Sequence, residues 1–269
     1  MAQFQLNAIM TSVINILFLG TGTSVGVPQI GCTCPVCLST DEKNKRLRSS
    51  ILVEIDGLQI LIDASPDLRQ QALRTGMKNV DAVLFTHSHV DHVGGFDDLR
   101  AFCWHREGGL PMYASEETMA ALQNIYAWAF YPPVQHSGYV RPEPHVFTKS
   151  FKIGAVLVTP LPVQHGWVDV HGFMLGYGGK RIIYMPDVKT ISAEVIEKMR
   201  GVDLLIIDGL RYSEHPTHLN VTEALEVIHQ ISPNRAILTH LSHEIDYQTL
   251  SAELPFGVEP AYDNLRISI

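Results

Sequence analysis

The chain has 269 residues, of which 46% are hydrophobic, so it is long enough to bury a sizeable core without disulfide bonds. Its formal net charge is −8 and it has no block of five or more basic residues, which argues against generic binding of duplex nucleic acid. It has no run of about 18 apolar residues, so no membrane-spanning helix is predicted.

The N-terminal region is predicted to be a short leader that precedes the first strand. Residues 1–12 lack the basic segment of a signal peptide. We expect them to be disordered or to result from a misplaced start, with Met10 as the alternative first residue. Residues 13–269 are expected to form a single domain. Without a signal peptide, the expected location is the cytoplasm.

Short runs rich in Ile, Val and Leu alternate with helical patterns, which predicts an α/β fold. The predicted strands are residues 13–19, 51–55, 59–63, 82–86, 155–160, 172–177, 181–185, 204–208 and 236–239. The predicted helices are residues 66–75, 96–104, 116–129, 192–199 and 221–231. The proline-rich segment 130–145 is predicted to be a long irregular loop that acts as a lid.

A cluster of histidines directly follows the predicted strand at residues 82–86. His87, His89, Asp91 and His92 lie within six residues, and imidazole and carboxylate groups are ligands for zinc and other first-row divalent ions. The alternative, an accidental surface His-x-His pair, is disfavoured because all these ligand types follow one buried strand. The cluster therefore predicts a metal site at the end of that strand.

The pattern His-x-His-x-Asp-His resembles the signature of the metallo-β-lactamase superfamily. The resemblance extends from about Val13 to the C-terminus and implies an αβ/βα sandwich of two mixed β-sheets flanked by helices. It also implies an active site with two divalent metals, zinc or manganese. Taken alone, His165 and His240 would more often be structural histidines, but their order after the motif favours a ligand role.

The resemblance implies a role for each of eight residues. One metal would be held by His87, His89 and His165. The other would be held by Asp91, His92 and His240, with Asp187 between the two metals. Asp63 would orient the ligands. Asp91 is also expected to serve catalysis, because a complete second metal site suits phosphate esters.

Three cysteines lie in the loop of residues 31–38. Thiols this close together suit a metal better than disulfide bonds, and the alternative is three reduced thiols without a ligand. The spacing of Cys32, Cys34 and Cys37, together with His243, resembles the pattern of the cyclic-phosphate phosphodiesterases of phosphonate breakdown, the carbon–phosphorus lyase pathway. That resemblance implies a separate structural zinc bound by these four residues.

The same relatives have a catalytic histidine ahead of a late helix, and His218 occupies the corresponding position. We expect His218 to titrate near neutrality and to protonate the leaving group, with His215 as the competing candidate. Arg211 and Tyr212 follow the predicted strand at 204–208 and are candidates for binding a phosphate oxygen. The alternative for Arg211 is an exposed arginine without a catalytic role.

These features predict a metal-dependent hydrolase that cleaves a phosphodiester, a small cyclic phosphate or a nucleotide-like substrate, with hydroxide activated by two metals. The alternatives are RNA processing in the manner of tRNA 3′-endonucleases, and a cofactor-biosynthesis or binding protein of the same fold, as in pyrroloquinoline quinone (PQQ) biosynthesis. At a net charge of −8, no stable nucleic-acid complex is expected. The expected partners are a small phosphate ester and, as in related enzymes, a second copy in a homodimer, with no membrane.

Overall fold

Two seven-stranded β-sheets pack face to face. The structure is a computed structural model that describes residues 13–131 and 138–269, so the predicted leader and the centre of the predicted lid lie outside the described residues. The first sheet has the order β14 (Arg266–Ser268), β1 (Ile14–Gly20), β2 (Ser50–Ile55), β3 (Leu58–Ile62), β4 (Ala82–Leu84), β5 (Leu110–Ala114) and β6 (Pro142–Val146). The second has the order β13 (Val258–Pro260), β12 (Ala236–Thr239), β11 (Leu204–Asp208), β10 (Lys180–Met185), β9 (Val168–Tyr177), β8 (Val156–His165) and β7 (Phe151–Ile153).

Each sheet combines antiparallel and parallel strand pairs. In the first sheet β1, β2 and β3 are antiparallel neighbours, and β3 to β6 are parallel. In the second sheet β7 to β10 are antiparallel neighbours, and β10 to β13 are parallel. The carboxyl ends of parallel strands meet at one edge of a sheet, so the loops that follow them can bring side chains together there.

Both faces of each sheet are apolar because successive side chains of a strand point to opposite faces. In β1, Phe18 packs between the sheets, whereas Leu19 packs under a helical layer. In β11, Ile206 packs between the sheets and Ile207 packs under the second helical layer. Strands buried on both faces have continuous apolar runs, and such runs are the signal that predicts these strands in the sequence.

Helices cover the outer face of each sheet. The first sheet is covered by α2 (Leu68–Thr75), a 3-10 helix at Phe96–Phe102, α4 (Glu116–Ile125) and α5 (Ala127–Phe130). The second is covered by α6 (Ala193–Met199), α7 (Val221–Ile231) and α8 (Tyr247–Glu253). Single turns at α1 (Pro35–Leu38), α3 (Val90–Val93) and Glu42–Asn44 lie in loops. No helix among residues 13–131 and 138–269 is long and apolar enough to cross a membrane. The predicted αβ/βα sandwich is confirmed.

The helix predicted at residues 116–129 is interrupted at Tyr126. The Tyr126 ring stacks on Phe96 with 4.3 Å between ring centroids, and its hydroxyl donates to the carbonyl of Val93 at 2.8 Å. These tertiary contacts hold Tyr126 outside the helical conformation, so α4 ends before it and α5 starts after it. The helix predicted at residues 96–104 has the 3-10 form and ends two residues earlier than predicted.

The prediction of an irregular loop through residue 145 is wrong at its C-terminal end. Residues 142–146 form β6, which pairs in parallel with β5. The prolines in β6 are tolerated because β6 is the edge of its sheet, where a strand needs fewer backbone N–H donors. His145 stacks on Tyr113 of β5 with 4.7 Å between ring centroids, which fixes it to the sheet.

Candidate metal centre

The motif residues and the later histidines meet where strands of both sheets end. β4 leads to His87, β8 ends at His165, and the ends of β10 and β12 lead to Asp187 and His240. His240 has φ +59° and Asp63, after β3, has φ +64°. Left-handed backbone is uncommon outside glycine and clusters at functional sites. The fold therefore holds these side chains together with local backbone strain.

The first group of ligand atoms contains three histidines and one carboxylate. His87, His89, His165 and Asp187 each offer one atom, and these atoms lie within 4.8 Å of one another. His87 Nε2 is 2.9 Å from His89 Nδ1 and 3.9 Å from Asp187 Oδ2. His165 Nδ1–H donates to the carbonyl of Thr217 at 2.7 Å. Nε2 is therefore the nitrogen of His165 that can bind a metal, and it lies 3.7 Å from Asp187 Oδ2.

The second group contains two histidines and two carboxylates. His92 Nε2 lies 3.2 Å from both Asp91 Oδ2 and Asp187 Oδ1. His240 Nε2 lies 3.6 Å from Asp91 Oδ2 and 3.5 Å from Asp187 Oδ1. Four ligands at bond lengths near 2.0–2.1 Å around a tetrahedral ion would stand about 3.3 Å apart, so these spacings suit one metal. Asp187 thus presents one oxygen to each group.

Several buried atoms of this centre lack a hydrogen-bond partner among the described residues. They are His92 Nε2, His240 Nε2 and Asp187 Oδ1. Buried polar atoms are nearly always satisfied, so unpartnered atoms that face each other are suited to bind a cation. The chemistry of these nitrogen and oxygen donors fits a first-row divalent metal.

The charges of the groups indicate the same cation. Burial would raise the pKa of Asp187, but neighbouring His240 and His92 outweigh it and hold the pKa well below its usual range. Burial would lower the pKa of His92, but Asp187 and Asp91 outweigh it and raise that pKa well above its usual range. The carboxylates thus stay ionised and attract positive charge, which a divalent metal supplies in place of protons.

Asp63 lies where it orients a ligand. His92 Nδ1–H donates to Asp63 Oδ2 at 2.8 Å, and Asp63 also accepts from the N–H and hydroxyl of Thr86. Asp63 and His92 are fully buried. This contact fixes the His92 ring with Nε2 toward the second ligand group, as expected for a residue that supports a ligand.

The cysteine loop and the segment after β12 form a third ligand group. Sγ of Cys32, Cys34 and Cys37 lie 3.2, 3.5 and 3.8 Å from Nδ1 of His243. Sulfur and nitrogen ligands at zinc bond lengths stand about 3.5 Å apart, so the set suits a closed structural site. The backbone N–H of Cys37 donates to Sγ of Cys34, which lowers the pKa of the Cys34 thiol to about 6 and favours the thiolate.

Arg46 joins the two parts of this third group, and sequence reasoning missed it. Its backbone pairs with Val27 at the base of the cysteine loop, with both N···O distances 2.8 Å. Its guanidinium is buried and donates to the carbonyls of Ser242 (3.0 Å) and Ile245 (2.9 Å), which flank His243. Burial lowers the pKa of Arg46 to about 10.

His218 lies at the edge of the metal centre and is paired with Asp208. Nδ1 of His218 and Oδ2 of Asp208 share a hydrogen bond of 2.7 Å, and Nε2 is 4.0 Å from Asp187 Oδ2. Burial and the neighbouring His240 lower the pKa of His218 to about 4, contrary to the expectation that it titrates near neutrality. Burial also raises the pKa of Asp208 well above its usual range.

Sequence reasoning missed Asp208. It lies at the end of the buried strand β11, and Asp63 has a similar position directly after β3. Asp208, His218 and His240 also offer atoms within 4.8 Å of one another. The 2.7 Å contact between Asp208 and His218 is a hydrogen bond, so we assign Asp208 to supporting His218 and not to binding a metal.

Arg211 and Tyr212, the predicted phosphate-binding residues, make side-chain hydrogen bonds with groups outside the three ligand sets. The Arg211 guanidinium donates to the carbonyls of Ser213 and Glu214, and the Tyr212 hydroxyl donates to Glu253. His215 lies closer, with its ring centroid 5.0 Å from that of His218.

Residues 59–241 match the family model described as beta-lactamase superfamily domain. A Porphyromonas gingivalis protein named octanoyltransferase is 41% identical over 262 residues, which are 94% of this chain and 51% of that protein, so the chain spans about half of that relative's length. A coenzyme PQQ synthesis protein B of Methylobacterium radiotolerans is 30% identical over 226 residues, 73% of each protein. A crystal structure of a diphosphatase from the PhnP family is 34% identical, with a TM-score of 0.88 over 96% of this chain and 97% of that chain. The chain therefore belongs to the β-lactamase superfamily and has the metallo-β-lactamase fold.

Proposed function

We propose that the chain hydrolyses phosphodiesters with two divalent metals, and that its substrate is a small cyclic phosphate or a nucleotide-like diester. The observation that carries the proposal is the position of Asp187, which presents one carboxylate oxygen to each of two ligand groups. Asp91 adds an oxygen ligand to the second group. Two adjacent metals suit a substrate with several charged oxygens, such as a phosphate ester.

The residues that would hold metals fall into three sets. One ion would be held by His87, His89, His165 and Asp187, and the other by Asp91, His92, His240 and the same Asp187. A structural zinc would be held by Cys32, Cys34, Cys37 and His243. Zinc and manganese both accept the nitrogen and oxygen donors of the active site. When bound there, such ions lower the pKa of water toward neutrality and offset charge on phosphate oxygens.

Asp208 and His218 would together supply a proton to the leaving oxygen. Burial raises the pKa of Asp208 and lowers that of His218, so a proton held by the pair lies on the carboxyl, which donates it to Nδ1. Nε2 then carries the proton that faces the site. Transfer of that proton to the leaving oxygen is balanced by transfer of the Asp208 proton to Nδ1.

The similarity to the PhnP-family diphosphatase supports phosphate chemistry, because it covers nearly all of both chains at 34% identity. The name octanoyltransferase belongs to a relative of which this chain covers about half. The rest of that relative lies outside the match, so its name gives no activity for this chain. A role in cofactor biosynthesis is the second candidate function, supported by the 30% identity to PQQ synthesis protein B.

Turnover of bis(p-nitrophenyl) phosphate tests the proposal. The protein is assayed as purified, after chelation, and after reconstitution with zinc or manganese. We expect activity that is lost with the metals and restored with them, and Asp187→Asn should lower kcat by at least about 100-fold because it removes the shared ligand. Asp81→Asn, at the opposite end of β4, is the matched control. A fully loaded protein that hydrolyses no diester would contradict the proposal and favour the cofactor-biosynthesis role.

A further inference from the structure

The turn between β8 and β9 exposes a tryptophan beside the metal ligands. Trp167 follows His165 by two residues, and its side chain is fully exposed (102%). The turn is supported from below, because a β-carbon added to Gly166 would lie only 3.1 Å from Cγ2 of Thr217. The hydrogen bond from His165 Nδ1–H to the Thr217 carbonyl fixes the same contact. These contacts fix the turn that carries Trp167 beside the ligand His165.

A cavity of about 320 Å³ opens beside this turn. Its lining includes Gln164, Trp167, Lys189, Thr190 and Thr217. Thr217 lines the cavity, and its carbonyl accepts the hydrogen bond from Nδ1–H of the ligand His165. The cavity therefore adjoins the metal centre through Thr217.

The lining offers an aromatic face together with polar edges. Trp167 offers a surface on which a planar ring can stack. The exposed Gln164 amide has both donors and an acceptor, and Thr190 adds a hydroxyl. Lys189 is paired with Glu223 at 2.7 Å, so it brings little free positive charge for a second phosphate. A nucleobase has both the planar face and the edge groups that this lining matches.

A second apolar side chain lies at the same edge of the centre. Val90, between His89 and Asp91, is 68% exposed. The ring centroids of His89 and His165 are 5.3 Å apart, so the turns that carry Val90 and Trp167 adjoin. Exposed apolar groups give no advantage with a purely anionic substrate, but they stabilise a bound planar ring by burying apolar surface.

We propose that Trp167 and this cavity form a nucleobase subsite, so that the preferred diester carries a base next to the phosphate that is cleaved. The inference rests on the proposed function for its reaction. Binding of a base is measured separately from turnover, so the two proposals can fail independently.

The kinetic test compares adenosine 2′,3′-cyclic phosphate with ribose 2,3-cyclic phosphate, which has no base, on the metal-loaded protein. We expect Trp167→Ala to lower kcat/KM for the adenosine ester by at least about ten-fold and for the base-free ester by less than about two-fold. Trp167→Phe should keep most of the activity, because phenylalanine still stacks. Trp104→Ala, in the turn after the 3-10 helix at Phe96–Phe102, is the control and should change neither value. Equal losses on both esters after Trp167→Ala would overturn the subsite.

The binding test follows quenching of tryptophan fluorescence by adenosine monophosphate. Quenching is expected in the wild type and in Trp104→Ala, and it should be absent in Trp167→Ala. If the wild type cleaves neither ester but shows this Trp167-dependent quenching, the phosphodiesterase proposal fails and the nucleobase subsite stands. Quenching of equal extent in Trp167→Ala, or none in the wild type, would overturn the subsite whatever the turnover.

Discussion

At the scale of single residues, the metal centre depends on which ring nitrogen of each histidine is already engaged. Nδ1 of His165 is bonded to the Thr217 carbonyl, and Nδ1 of His92 is bonded to Asp63. Nδ1 of His218 shares a hydrogen bond with Asp208. In each ring Nε2 is left to face the site, so three partners outside the ligand groups set the direction of three imidazoles.

Replacing Asp208 with asparagine tests the proposed proton supply. The amide cannot hold the exchangeable carboxyl proton that the pair needs, so Asp208→Asn should lower kcat by about 10–100-fold for esters of poor leaving alcohols. The loss should be much smaller for bis(p-nitrophenyl) phosphate, because p-nitrophenolate leaves without a proton. Asp203→Asn, just before β11 at its other end, is the control. Equal losses for both kinds of leaving group, or loss of metal, would show a structural role only.

At the scale of the elements, one segment serves two of the ligand groups. His240 and His243 are three residues apart after β12, and the first belongs to the active-site set while the second belongs to the cysteine set. Arg46 holds this segment through the carbonyls of Ser242 and Ile245. The cysteine site therefore anchors the strand end that supplies an active-site ligand.

Arg46→Met should separate the cysteine loop from this segment. Methionine fills much of the buried space but donates no hydrogen bonds. We therefore expect each chain to lose about one of its three metal ions, and the cysteines to react faster with a thiol reagent. Arg48→Met removes a neighbouring arginine that pairs with Asp67 on the outside, and it serves as the control. A variant that retains all its metal and its slow thiol reaction would show that Arg46 does not organise the site.

Most strands and the metal ligands could be predicted from the sequence, because continuous apolar runs and the histidine motif are local signals. β5 and β6 were missed because prolines in both strands oppose a strand assignment, and β6 tolerates its prolines as the edge strand of its sheet. Asp208 and Arg46 were missed for another reason. Their partners lie 10 and about 200 residues away along the chain, and no local pattern encodes those contacts.

At the scale of the whole molecule, a buried carboxyl ties distant parts of the chain together. Asp263 accepts hydrogen bonds from the Thr21 hydroxyl (2.8 Å), the Leu47 N–H (2.9 Å) and the Arg74 guanidinium (3.2 Å). These partners belong to the turn after β1, the segment before β2, and α2. Burial raises the pKa of Asp263 from 3.8 to about 6, so ionisation of this group is less favourable in the folded chain than in the unfolded chain.

This shift predicts a pH dependence of stability. The folded chain binds the Asp263 proton more tightly than the unfolded chain does. The resulting stabilisation is fully present below the unfolded pKa of 3.8 and is lost as the pH rises through about 6. The free energy of unfolding of the wild type should therefore fall by about 2–3 kcal/mol relative to Asp263→Asn between pH 4 and pH 7. Urea denaturation of both proteins across this range measures the difference. A difference that stays constant or grows with pH would contradict the assignment.

Metal content per chain, measured by mass spectrometry on anaerobically purified and zinc-reconstituted protein, tests the two-metal centre most directly. The three ligand sets predict about three ions per chain in the wild type. In Asp187→Asn they predict retention of the ion at the cysteine site, with loss confined to the active-site ions. One ion or fewer in the wild type would contradict the two-metal centre.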